Sequence, residues 1–205
     1  KRDGSFNLNM KYFDYCTGLT MTNKYFNKLF GGPPRKPESL LSQKEMNLAA
    51  SIQKVTEEIL VKLAQSIANE TKEENLCLAG GVALNCVANG ILQDKNIFKK
   101  IWIQPASGDA GGAIGAALAT YYLMQNNKRV ISRADSMNGS YLGPQFSDEQ
   151  IENSLKKSNA IYEKLNTTKI LDLTAKLLSE GKAIGWMQGR MEFGPRALGN
   201  RSILA

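Results

Sequence analysis

The sequence predicts an α/β protein with a mostly parallel sheet, and three observations predict it. Two short, continuously apolar runs, Leu76–Ala79 and Ile101–Ile103, stop at glycine or proline, as strands buried on both faces do. Segments of helical texture alternate with these runs, which is the order of an α/β layer. The composition is that of a globular chain, 205 residues with 42% hydrophobic, 18 Gly and 6 Pro, and it excludes collagen-like and low-complexity classes.

Residues 1–41 are irregular, punctuated by Gly4, Gly18, the Gly31-Gly32-Pro33-Pro34 run and Pro37. Phe6, Tyr12, Phe13, Tyr15, Tyr25, Phe26 and Phe30 fall between the breaks, so this segment is expected to lie over a core. Ser42 followed by Glu45 fits a capping box, in which each side chain satisfies an orphan N–H of the first turn. Leu48, Ile52, Val55, Ile59, Leu63 and Ile67 then recur at helical spacing and predict an amphipathic helix of about seven turns. The run Leu76-Cys77-Leu78-Ala79 predicts a buried parallel strand that ends in Gly80-Gly81, and Val82 to about Leu92 reads as a helix. Ile101-Trp102-Ile103 predicts a second strand, closed by Pro105, with a helix from about Ala110 to Met124.

The texture breaks between 127 and 146, where Asn138-Gly139 and Gly143-Pro144 are turn chemistry. Beyond it, Ser147 with Gln150 predicts a capped helix to Ser158, Leu171 to Leu178 a helix closed by Gly181, and Ala183 to Met187 a strand. The organisation read from this is a domain over 1–130, a linker over 131–146 and a second domain over 147–205 that is unfinished. The chain opens Lys1-Arg2-Asp3-Gly4 with no initiator Met, and reads as a piece of something longer.

The chain has no His. No Ser–His or Cys–His nucleophile pair, His-ligated zinc site or His general base can be built from these residues alone. Cys16, Cys77 and Cys86 lack metal-type spacing and are read as buried free thiols of a reducing compartment, which points to the cytoplasm. No apolar run approaches the ~20 residues that cross a bilayer. The net charge of +7 is spread as +5 over 1–44, −2 over 45–127 and +4 over 128–205. Such a balance suits nucleic acid, a membrane surface or phosphorylated small molecules, but no dense basic block with interleaved aromatics favours nucleic acid.

Three segments carry chemistry. In LAGGVALN (Leu78 to Asn85) a strand ends in two glycines and a helix begins, so backbone N–H groups can meet a phosphate and Asn85 can offer an amide; a tight turn with no ligand is the alternative. In PASGDAGGAIGAAL (Pro105 to Leu118) Asp109 follows a strand, where a carboxylate can bind a metal or a phosphate-bound cation, or simply cap the helix. Gly111, Gly112 and Gly115 leave that helix start bare enough for a phosphate, and equally suit close packing. In GRMEFGPRALGNRSI (Gly189 to Ile203) Arg190, Arg196 and Arg201 lie between glycines, as a site for a doubly charged oxyanion requires, although Glu192 can pair with one of them.

On these residues the chain resembles the O-carbamoyltransferases that act on Nod factors, aminoglycosides and cephem antibiotics. The likeness runs in order through DGSFNLNMKYF, FGGPPRKPES, LCLAGGVALNCVANG, IWIQPASGDAGGAIGAAL, YLGPQFS and GWMQGRMEFGPRALGNRSILA. It implies the second half of an actin-like, sugar-kinase-like ATPase domain followed by the start of a YrdC-like α/β domain. It implies that carbamoyl phosphate and ATP form carbamoyladenylate, whose carbamoyl group passes to an acceptor hydroxyl at a divalent metal site, Fe(II). By the same resemblance Gly80, Gly81 and Asn85 contact nucleotide, Asp109 ligates the metal as the catalytic residue, and Arg190, Arg196 and Arg201 hold carbamoyl phosphate. The family's other metal ligands, two histidines and an aspartate, have no match here. The chain alone is therefore expected to bind iron weakly and not to turn over. A kinase or chaperone-type ATPase of the same fold is the rival reading, and the arginine segment argues against it; a basic nucleic-acid module is the remoter one. The acceptor stays open among sugar, aminoglycoside and antibiotic nucleus.

Overall fold

The computed structural model describes residues 1–131 and 134–205. Two compact units are formed, one by Lys1–Leu76 with Asn85–Trp102 and the other by Cys77–Leu84 with Ile103–Ala205. Among the described residues no helix is long and apolar enough to cross a membrane.

In the first unit the leading segment is ordered without being regular. A 3-10 turn at Met10–Tyr12, an antiparallel bridge between Phe13 and Thr22 and helix α1 (Lys24–Leu29) gather Phe13, Phe26 and Phe30 into a tilted stack. Helix α2 (Gln43–Thr71) starts at the expected capping box, with Ser42 N donating to Glu45 Oε2 at 2.9 Å. The Ser42 hydroxyl and N–H hold the Glu45 carboxyl below its usual range. The predicted apolar face of α2 is not the buried one. Ile52 (64% exposed), Val55 and Ile67 stand exposed, while Glu57 and Ala64 are buried. Leu48, Ile52 and Val55 instead wall a groove of 610 Å³ with Phe13, Phe26 and Phe30. Helix α3 (Cys86–Asp94) packs on α2 and buries Ala88 and Leu92 completely.

Strands β1 (Asn75–Leu78) and β2 (Lys100–Ile103) pair as a two-stranded sheet. Lys99 N donates to Glu74 O at 2.7 Å and Gln104 N to Leu78 O at 3.1 Å, so the strands run parallel. They alternate exposed and half-buried residues, contrary to the expectation of strands buried on both faces. A two-stranded ribbon has no inner strand, so one face carries Leu76, Leu78, Ile101 and Ile103 while Cys77 and Trp102 stand exposed on the other. The buried-thiol expectation fails for the same reason at Cys77, and Cys16 and Cys86 are exposed as well; all three are free.

In the second unit a 3-10 turn occupies Gly81–Leu84, where a helix from Val82 was expected, and α3 begins only at Cys86. Helix α4 (Asp109–Ala119) continues into a single π-helical turn at Thr120–Met124, closed by Gln125 N on Thr120 O at 3.0 Å. Helix α5 (Asp148–Lys157) has the predicted Ser147–Gln150 capping box. Helix α6 (Thr167–Ser179) starts before Leu171 because Asn166 caps it, its Oδ1 accepting from Lys169 N at 2.9 Å. Strands β3 (Ile184–Met187) and β4 (Arg201–Leu204) form an antiparallel hairpin, pairing Ile184 with Leu204 and Met187 with Arg201. The arginine segment is the long loop of that hairpin.

Of the segment 131–146 assigned to a linker, Ser132 and Arg133 lie outside the described residues. The rest is not a mere connection. Asp135 accepts from Met137 N and Gly139 N, which hold its carboxyl below the usual range. Ser140 is fully buried, and Phe193 N donates to its carbonyl at 2.7 Å while its hydroxyl donates to Phe193 O at 2.9 Å. Gly143 N reaches Met191 O and Met191 N reaches Pro144 O, each at 2.9 Å. Ser140 O, Gly143 N and Pro144 O thereby find their partners in 191–193.

Candidate functional site

The glycine turn and the loop that carries Asp109 belong to the second unit and are joined by a hydrogen bond. Gly80 adopts φ +96°, a conformation that favours glycine, and its N–H donates to Ser107 O at 2.7 Å. Ala83 N closes the turn on Gly80 O at 3.0 Å. A Cβ at Gly80, Gly81 or Gly108 would meet no atom within 4 Å, so their backbone is open to a ligand. Ser107 is 6% exposed, and its Oγ has no hydrogen-bond partner among the described residues.

Ala106, fully buried, is the floor under two elements. A Cβ at Gly111 would stand 2.0 Å from Ala106 O, so α4 lies against this loop at a distance that only glycine permits. On the other side a Cβ at Gly194 would meet Ala106 Cβ at 3.0 Å, which brings the arginine loop onto the same residue. Of the three glycines expected to clear a phosphate path, Gly111 therefore serves packing, whereas Gly112 and Gly115 face open space.

Asp109 is not the N-cap of α4. Gly108 occupies that position without a side-chain cap, and Asp109 is the first helical residue, exposed and with no side-chain bond among the described residues. A carboxylate there complements the helix dipole by a few tenths of a kcal/mol to about 1 kcal/mol. The metal expectation can be tested against this chemistry. No group of three or more His, Cys, Asp or Glu side chains surrounds Asp109 among the described residues. A single carboxylate does not complete a divalent-metal site, so these residues alone do not fit one.

Asn85 belongs to the first unit and has a different position from the expected one. It is the N-cap of α3 rather than a residue one turn inside a helix; its Oδ1 accepts from Ala88 N at 3.1 Å. Its Nδ2 donates to Gln53 Oε1 at 2.8 Å, so α2 holds the amide as well.

The three arginines are not equivalent. Arg190 donates to Gly143 O at 2.8 Å. Arg201 sits with Nε 3.5 Å from Glu192 Oε2 and donates through Nη2 to Gly194 O and Arg196 O. Arg196 is exposed, and its guanidinium has no partner among the described residues. Glu192 organises the loop. Its side chain is 0% exposed, and Oε1 accepts from Leu198 N and Asn200 N, each at 2.7 Å. Burial pushes the Glu192 carboxyl up, but the N–H groups of Asn200, Glu192 itself and Leu198, with the charge of Arg201, outweigh it and the net direction is down. Residue types alone suggested a Glu192–arginine pair; that the carboxylate is buried and gathers two backbone amides had no sequence signal. Ser140 and Ser107 were missed too, the first because Asn138-Gly139 reads as linker, the second because a serine in a small-residue loop carries no pattern.

A hydrogen-bonded glycine turn and Asp109 loop share the Ala106 floor with the arginine hairpin loop. The family profile described as carbamoyltransferase N-terminus matches residues 1–118, and that described as carbamoyltransferase C-terminus matches residues 175–205. The chain belongs to the carbamoyltransferase family. It is 56% identical over 206 residues to the uncharacterized protein sll1178 of Synechocystis, covering 100% of this chain and 34% of that protein. It is 40% identical over 165 residues to nodulation protein NolNO of Sinorhizobium fredii, covering 80% of this chain and 24% of that protein. Nodulation protein NolO of Bradyrhizobium diazoefficiens is 38% identical over 165 residues, 80% of this chain and 29% of its own length. The chain thus spans about a third or less of the length of these relatives.

Proposed function

We propose that this chain carries part of the machinery of an ATP-dependent O-carbamoyl transfer. Water cleaves carbamoyl phosphate to carbamate and phosphate, and a carbamate oxygen then bonds to the α-phosphorus of ATP as the bond to the β-phosphate oxygen breaks, giving carbamoyladenylate and pyrophosphate. In the transfer step the acceptor oxygen bonds to the carbamoyl carbon, the bond from that carbon to the AMP phosphate oxygen breaks, AMP leaves and the hydroxyl proton goes to a base. Residues 1–130 are assigned to the second half of an actin-like domain and residues 147–205 to the opening of a YrdC-like domain. Gly80 and Gly81 are the backbone edge for the adenylate, Asp109 is the carboxylate that handles the acceptor's proton, and the 189–201 loop meets carbamoyl phosphate.

The observation that carries this reading is the Gly80 N–H to Ser107 O bond of 2.7 Å, which makes one cluster of the glycine turn and the Asp109 loop. Holding two reactants at one such cluster lowers the entropy of their encounter. The test is carbamoyl phosphate-dependent release of AMP and pyrophosphate from ATP with a hydroxyl acceptor. It is run on the 205-residue chain and on a protein carrying these residues at the full length of the Synechocystis relative. The expected result is release by the longer protein and none by the shorter; no release by the longer protein overturns the proposal.

A further inference from the structure

The arginine loop contains an imbalance. Three guanidinium groups lie within twelve positions of one another, yet each is treated differently by its surroundings. Arg201 faces the buried carboxylate of Glu192 and two backbone carbonyls. Arg190 is tethered to Gly143 O. Arg196 has neither a carboxylate nor a carbonyl on its guanidinium among the described residues, and it sits exposed two residues from Gly194, the point where the loop meets Ala106. The carboxylate that makes the difference has no exposed side-chain surface, so it cannot itself serve a ligand.

We propose that Glu192 is a positioning residue that ties down Arg201 and cinches the loop, so that Arg196 presents the untethered guanidinium to an oxyanion ligand. This rests on the reading of the loop given above and divides its arginines between two jobs. Oε1 of Glu192 spans the loop by accepting from Leu198 N and Asn200 N. Oε2 lies opposite Arg201 Nε at 3.5 Å, and its remaining capacity is unfilled. A guanidinium engaged by a buried carboxylate and two carbonyls has few donors left for a phosphate, whereas an untethered one offers its planar fork for bidentate contact. The contact of Gly194 with Ala106 joins this loop to the floor beneath Asp109.

The test uses arginine-directed labelling with phenylglyoxal on the 205-residue chain, read residue by residue by mass spectrometry, with inorganic phosphate as the probe. Without phosphate, Arg196 is expected to label about tenfold faster than Arg201, and added phosphate to slow Arg196 selectively. Glu192→Gln keeps an acceptor for the two N–H groups but removes the charge, and is expected to bring Arg201 labelling up towards that of Arg196. It is also expected to weaken phosphate protection by about tenfold. Arg196→Lys, which leaves the Glu192 contacts in place, is expected to leave the labelling of Arg201 unchanged, with or without phosphate. Equal labelling of Arg196 and Arg201 in the unsubstituted chain overturns the division of labour, whether or not any variant folds. Unequal labelling that phosphate does not affect overturns the oxyanion role and the carbamoyl phosphate reading of this loop with it. Arg201 labelling unaltered in Glu192→Gln overturns the role of Glu192 alone.

Discussion

The glycine turn at 78–84 and the arginine loop at 189–201 both adjoin strands, and they are built by opposite means. The turn has no polar or charged side chain. Its shape comes from Gly80 at φ +96° and from the backbone bonds of Gly80 N to Ser107 O and Ala83 N to Gly80 O, and its exposed glycines leave the main chain bare. The loop has its shape imposed by one buried side chain, Glu192, which satisfies two amides and faces one guanidinium. Such a loop concentrates its stability in one ionisable group, while the turn spreads it over backbone geometry. Local conformation is visible in glycine placement; a carboxylate that collects amides six and eight residues downstream is not.

The largest effect that would break this comparison is at Glu192. Glu192→Ala leaves Leu198 N and Asn200 N without their acceptor and Arg201 without its facing charge, and unpaired buried donors are costly. It is expected to erase hydrogen-exchange protection at those two amides and to lower Tm more than any substitution in the turn. Unaltered protection would show that the loop holds itself. Because the folded Glu192 carboxyl lies below its ordinary value of 4.5, its contribution is full above that value and is lost as the pH falls through the depressed folded one. Exchange at Leu198 and Asn200 followed from pH 6 down towards 2 should therefore rise steeply in the acid half, beyond the intrinsic pH dependence of exchange. Glu192→Gln should flatten that rise.

Gly111 and Gly112 give the next contrast. Gly111→Ala drives a Cβ to 2.0 Å from Ala106 O and is expected to cost about 2 kcal/mol in urea denaturation. Gly112→Ala enters open space in the same helix and is expected to stabilise by about 1 kcal/mol. Equal effects would mean that the close approach of α4 to the 104–108 loop is not what fixes the site. Smaller still, and remote from both regions, Ser42→Ala removes the cap of α2 and is expected to cost about 1 kcal/mol.

Much of the architecture was legible. Both capping boxes, the two parallel strands, the glycine turn and the order of α2 to α6 follow from local chemistry that the structure repeats, whereas α1 lies in a segment expected to be irregular. The errors share one origin, which is that periodicity reports amphipathicity but not which neighbour arrives. On α2 the apolar residues Leu48, Ile52 and Val55 face an aromatic groove, while Glu57 and Ala64 are buried; Glu57 accepts from Gln53 Nε2 at 2.9 Å. At Asn85 and Asp109 the residue types suited a ligand, but the capping roles are exchanged: Asn85 caps a helix and Asp109 does not. The 140–144 segment has the residues of a linker because it forms no element of its own. Its partner lies some fifty positions away, where no local rule reaches.

The claim that the other conclusions serve is that the Gly80–Ser107 cluster with Asp109 is a carbamoyl-transfer site. Its most direct test is the rate of acceptor carbamoylation by a protein carrying these residues at the relatives' full length, compared with its Asp109→Asn form. The rate is predicted to fall by about a hundredfold or more with the fold intact by circular dichroism. Transfer at an unchanged rate in the Asp109→Asn protein would contradict the assignment.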